Sequence, residues 1–75
     1  MTDKNEFLEK MAMILEVEPT EISLETSFRN DVPYWDSLKG FGMIVILEED
    51  YGKKITVEEF LECHTLGDLF SRIDS

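Results

Sequence analysis

The chain has 75 residues, which is enough for one small domain but leaves no room for a deep catalytic cavity. Seventeen acidic residues against seven basic ones give a net charge of −10, which argues against nucleic acid or anionic membrane and favours basic protein surfaces as partners. The single cysteine excludes an internal disulfide, and the N-terminal residues do not form a signal peptide. The apolar runs are too short to cross a bilayer. We therefore expect a cytoplasmic protein without membrane insertion.

The first predicted element is an amphipathic helix that begins after Thr2 or Asp3 and ends by Glu18. Either residue suits the N-cap, and Pro19 disfavours helix at the residue before it. The apolar residues recur at three- and four-residue spacing, as one buried stripe requires: Phe7, Leu8, Met11, Ile14 and Leu15.

A long connection follows from Pro19 to Pro33, where no helical period is sustained. Its apolar residues Ile22, Leu24 and Phe28 are separated by polar ones. We expect an ordered loop that these three side chains attach to the core. Loops of this length without regular structure are uncommon and often functional.

The second predicted helix runs from about Ser37 to Tyr51, with Asp36 as its cap and Gly52 at its end. It has two apolar faces, although one is enough to join a core. The serine's side carries Leu38, Phe41, Val45 and Glu48, and the opposite side carries Met43, Leu47 and Tyr51. The surplus face is either a contact surface, which we favour, or a surface that the long loop covers.

Two capping-box spacings predict the remaining helices. Thr56 with Glu59 opens a short third helix, and Thr65 with Asp68 opens the last one. The last helix presents an apolar stripe of Leu66, Leu69, Phe70 and Ile73. Together the elements predict an all-α fold, a four-helix bundle with a long first loop and a short third helix, in a single domain spanning residues 1–75.

The serine at the start of the second helix needs its own explanation. Asp36 already serves as the cap, and the helix start favours a negative group such as a phosphodiester on Ser37. Nucleophilic catalysis by Ser37 needs a base, and the lone His64 shares no motif with it. Cys63 suits a small buried side chain, and no metal-binding motif is present. We therefore predict no catalytic residue and no metal ligand.

The sequence Asp36-Ser37-Leu38 opens an apolar helix that ends in 48–52, "EEDYG", and is followed by 65–69, "TLGDL". This combination resembles the acyl carrier proteins over nearly the whole chain. The resemblance implies a right-handed four-helix bundle whose Ser37 is esterified by 4′-phosphopantetheine from coenzyme A. A phosphopantetheinyl transferase would attach this arm. Its thiol would carry acyl groups as thioesters between enzymes of fatty acid, polyketide or related biosynthesis.

The resemblance also implies a docking surface beside the arm. Its residues would be Leu38, Phe41, Val45, Glu48 and Glu49, and Asp36 would help the transferase to engage its metal and substrate. The partners would be acyl-loading, condensing or acyl-transfer enzymes with basic docking patches. We expect the carrier to be a monomer.

Several positions depart from the fatty-acid type. Tyr34-Trp35 stands where Gly-Ala is usual, and Lys39 stands where an acidic residue is common. Gly40 and Gly42 replace better helix formers, at about 0.5–1 kcal/mol each relative to alanine, and are expected to loosen the start of the helix. Another interpretation of the chain is an unmodified acidic helical interaction module. A third interpretation, a small hydrolase with Ser37 as its nucleophile, is rejected because the sequence offers no general base for this serine.

Overall fold

The computed structural model describes residues 3–74 of the chain. Within that range the regular elements are four α-helices, with a 3₁₀ turn at Pro19–Glu21 and no strand. The helices are α1 (Lys4–Leu15), α2 (Ser37–Tyr51), α3 (Val57–Glu62) and α4 (Leu66–Asp74). The predicted all-α fold, with a long first connection and a short third helix, is therefore confirmed. In this range no helix is long and apolar enough to cross a membrane.

Local capping sets the start and end of α1. The Asp3 side chain accepts the backbone N–H groups of Asn5 and Glu6, which are otherwise without partners in the first turn. The other predicted cap, Thr2, lies outside the described residues. The helix ends at Glu16, whose backbone turns into the left-handed region.

The core lies where α1, α2 and α4 meet, and the long loop adds to it. Ile22 and Phe28 are buried and Leu24 is half-buried, which confirms that these side chains attach the loop to the core. The largest fully buried side chains come from every helix except α3, together with the loop: Phe7, Met11, Leu15, Phe28, Met43, Leu47, Leu66 and Leu69.

The predicted capping boxes are present at the starts of α3 and α4. Thr56 and Glu59 exchange hydrogen bonds between side chain and backbone, as do Thr65 and Asp68. The N–H groups of His64 and then Thr65 hold the pKa of the Asp68 carboxyl below its usual value, because they stabilise the ionised form. Both helices therefore begin at residues that their own sequence specifies.

The loop is also hydrogen-bonded to the start of α4. The Leu66 N–H donates to the Thr26 carbonyl at 3.0 Å, and the Gly67 N–H donates to the Leu24 carbonyl at 2.7 Å. These bonds, with the buried side chains of the loop, fix the path that delivers the chain to α2.

Candidate functional site

Ser37 is the first residue of α2 and is exposed. Asp36 precedes it in an extended conformation, and its Oδ1 accepts the Lys39 N–H at 2.9 Å. The prediction that Asp36 caps the helix is confirmed, so the fold does not need the Ser37 hydroxyl for this purpose. That hydroxyl lies at the positive end of the helix macrodipole, where a negative group attached to it is stabilised.

The two apolar faces of α2 are both present. Met43 and Leu47 are fully buried, whereas Leu38 is 77% exposed and Phe41 is 62% exposed. Val45 on the same side is half-buried. The long loop therefore leaves much of the serine-side face open, as the contact-surface interpretation requires.

Two of the charged residues predicted to contact partners lie at the far end of α2, whereas the third, Asp36, is the N-cap beside Ser37. Glu48 and Glu49 are both exposed. The neighbouring Asp50 faces α1 instead, where its carboxylate is 3.0 Å from Lys10 Nζ. Apart from Asp36, the acidic part of the predicted docking surface therefore consists of Glu48 and Glu49, well along the helix from Ser37.

A cavity of about 240 Å³ opens beside Ser37, between α2 and α3. Apolar side chains from both helices line most of it, and two residues of the preceding loop complete it. The lining residues are Arg29, Trp35, Ser37, Gly40, Phe41, Ile44, Val57, Phe60 and Leu61. The serine is thus placed at the edge of an apolar recess.

Trp35 and Gly40 form one wall of this cavity. Trp35 is half-buried, and its ring centroid is 5.5 Å from that of Phe28. A Cβ atom on Gly40 would lie 3.1 Å from Trp35 Cη2 and Cζ2, and 3.2 Å from Phe60 Cε2. Gly40 therefore makes room for the indole, and α2 is continuous through this position.

Gly42 has a similar role on the α1 side. A Cβ at this position would lie 2.7 Å from Ile14 Cδ1, closer than carbon atoms can approach. The glycine allows α1 and α2 to pack closely at this point. Helix propensity predicts only that both glycines are weak helix formers, and the sequence gives no sign of these contacts.

Arg29 holds α3 in place on its side of the cavity. Its Nη1 donates to the Cys63 carbonyl at 2.7 Å and its Nη2 donates to the Phe60 carbonyl at 2.8 Å. The guanidinium also lies over the rings of Phe28 and Phe60, at 4.7 and 5.3 Å from their centroids. Arg29 therefore caps the C-terminal end of α3, a role that sequence reasoning missed because the two segments are distant in the chain.

The segment just before Asp36 has an unusual conformation. Tyr34 lies in the left-handed region, with φ of +60°, and its side chain is 88% exposed. Lys39 Nζ donates to the Tyr34 carbonyl at 3.0 Å. Lys39 is thus engaged by its own chain at the start of α2.

The surroundings of Ser37 do not favour catalysis by the chain itself. His64 is exposed and is not among the residues that line the cavity at Ser37, and Cys63 is buried and free. Residues 3–74 contain no group of three or more His, Cys, Asp or Glu side chains placed to hold a metal ion. The arrangement instead suits attachment of a negatively charged group to an exposed hydroxyl beside an apolar recess.

Comparison with known proteins points to the same chemistry. A family model described as phosphopantetheine attachment site matches residues 5–73. The chain is 37% identical over 65 residues to a protein named acyl carrier protein from Treponema denticola, across 87% of this chain and 82% of the relative. It is 36% identical over 72 residues to a protein of the same name from Treponema pallidum, across 92% of this chain and 91% of the relative.

Proposed function

Because this chain belongs to the acyl carrier protein family, whose members bear 4′-phosphopantetheine and are carriers rather than enzymes, we propose that Ser37 is the residue to which this group is attached. The observation that carries the proposal is the position of Ser37. It is exposed at the first position of α2, while Asp36 supplies the cap. The hydroxyl is therefore available for modification at no cost to the helix start.

The residues around Ser37 suit a phosphodiester. Its negative charge would lie at the positive end of α2, where the backbone N–H groups stabilise it. In this proposal Asp36 also helps the transferase to engage its metal and substrate. When bound, the arm supplies a terminal thiol that holds acyl groups as thioesters. The chain itself supplies the attachment point, the recess and the docking surface.

We assign the docking surface to Leu38, Phe41, Val45, Glu48 and Glu49. Exposure of Leu38 and Phe41 supports this assignment, because large apolar side chains left open on a small domain are typical of contact surfaces. Glu48 and Glu49 would meet basic patches on acyl-loading, condensing or acyl-transfer enzymes. The partner would thus touch apolar residues near the arm and acidic ones farther along α2.

The cargo in this proposal is an acyl intermediate of fatty acid, polyketide or related biosynthesis. The apolar lining of the recess beside Ser37 supports an apolar acyl group. We place this activity in the cytoplasm, since the free, buried thiol of Cys63 suits a reducing compartment. The carrier would act there as a single-domain monomer.

Intact-mass measurement tests the attachment site. Incubation with coenzyme A and a broad-specificity phosphopantetheinyl transferase should add one phosphopantetheine mass to the wild type and none to Ser37→Ala. Ser71→Ala is the matched control, because Ser71 is also an exposed serine on a helix. A wild-type chain that gains no mass would favour the unmodified interaction module. A Ser37→Ala chain that still gains the phosphopantetheine mass would show that the attachment site is another residue.

A further inference from the structure

Tyr34 combines an unfavourable backbone conformation with an unused side chain. Its φ of +60° lies in the left-handed region, which glycine adopts freely and a residue with a branched or bulky side chain does not. The residue is 88% exposed, so burial of its side chain does not offset this cost. Such outliers are concentrated at functional sites, and they justify a search for a function.

The backbone conformation itself has a structural reason. The turn at Pro33 and Tyr34 lies between Val32, which is buried, and Trp35, which is half-buried against the core. Lys39 Nζ holds the Tyr34 carbonyl in place. These contacts require the turn, but none of them requires a tyrosine, and glycine would serve the turn better.

We propose that Tyr34 is a specificity-determining residue for phosphopantetheine transfer, one that the transferase contacts when it binds the unmodified chain. This inference rests on the proposed attachment at Ser37. The transferase has to bring its reacting atoms to the Ser37 hydroxyl, three residues beyond Tyr34, before any arm exists to act as a spacer. An enzyme that acts on the far end of the arm docks on α2 but does not have to bring its reacting atoms to the Ser37 hydroxyl.

The chemistry of the side chain suits this role. Tyrosine offers a large apolar ring with a polar tip and only two side-chain torsions to immobilise, and it is enriched among the residues that dominate binding energy. The matching surface on the transferase would be an apolar pocket with a hydrogen-bond partner for the phenol. The nearby exposed Leu38 would extend the same contact on the other side of Ser37.

Tyr34→Gly is the decisive variant, because glycine fits the observed φ and should keep or raise the melting temperature. Transfer is measured with coenzyme A and a broad-specificity transferase while the concentration of the chain is varied. We expect the KM for the chain to rise about tenfold, equivalent to ~1.4 kcal/mol, with kcat nearly unchanged. Tyr34→Phe should keep most of the affinity, since it retains the ring.

Met13→Ala is the matched control, because Met13 is 78% exposed but lies on α1. Its KM should stay at the wild-type value. A Tyr34→Gly chain with wild-type KM would overturn the inference and leave attachment at Ser37 intact. A raised KM accompanied by a lower melting temperature would also overturn it, by showing a structural role. A wild-type chain that is never modified would refute the attachment at Ser37 and this inference with it.

Discussion

Replacing Gly40 with alanine should destabilise the domain, although alanine is the better helix residue. The gain in helix propensity is about 0.5–1 kcal/mol. The added methyl group would lie 3.1 Å from two ring carbons of Trp35 and 3.2 Å from Phe60, which is tighter than ordinary van der Waals contact. Overpacking of this kind costs about 1–3 kcal/mol. We expect a net loss of ~1 kcal/mol, which lowers Tm by roughly 4–8 °C in a domain of this size.

A double-mutant cycle separates the two effects. In a Trp35→Ala background the indole is gone and the Phe60 ring has space into which it can move. Gly40→Ala should then stabilise the chain by about 0.5–1 kcal/mol, through helix propensity alone. The change of sign corresponds to a coupling energy of about 1.5–2 kcal/mol between positions 35 and 40.

Urea unfolding of the wild type, both single variants and the double variant measures this coupling. The m-values should stay the same, so that the midpoints report stability. Free energies that add within about 0.5 kcal/mol would show that the two positions are independent. That result would refute the explanation of Gly40 as the space that Trp35 needs.

Two further predictions concern docking and pH. Phe41→Ala should cost less than ~1 kcal/mol of stability yet slow the transfer of the arm or of acyl groups, because Phe41 is exposed, whereas the buried matched control Phe60→Ala should cost about 3–5 kcal/mol. Thermal melting measures the stability of each variant, and transfer kinetics measure its docking. Equal losses of stability would place Phe41 in the core. Because the pKa of the Asp68 carboxyl is lowered in the folded chain, its stabilisation is present above the unfolded pKa of about 4 and is lost as the pH falls through the folded pKa. The difference in Tm between the wild type and Asp68→Asn should therefore shrink below about pH 4, and a difference that is constant with pH would contradict this origin.

The elements that the sequence predicted well are those that short-range chemistry specifies. Asp36 and Gly52 mark the two ends of α2, and the structure has both as caps. Thr56 and Glu59 likewise form the capping box that their spacing indicates. In each case the donor and acceptor are a few residues apart, so the local sequence pattern is enough to predict the hydrogen bonds of the cap.

The features that the sequence analysis missed depend on how distant segments approach each other. Arg29 caps α3 from more than thirty residues earlier in the chain, which no local pattern reveals. Gly42 packs closely against Ile14 of α1, and Gly40 packs closely against an indole in the loop. Helix propensity alone predicts that these two glycines lower the stability of α2. Their value lies in tertiary packing, which overrides propensity.

The most direct test of attachment at Ser37 is to locate the modification within the chain. Trypsin cleavage after Arg29 and Lys39 releases residues 30–39, "NDVPYWDSLK", in which Ser37 is the sole serine. After treatment with coenzyme A and transferase, fragment-ion mass spectrometry should find one phosphopantetheine mass on this peptide, localised to Ser37. The same mass on another peptide, or an unmodified 30–39 peptide from a chain that has gained the mass, would contradict attachment at Ser37.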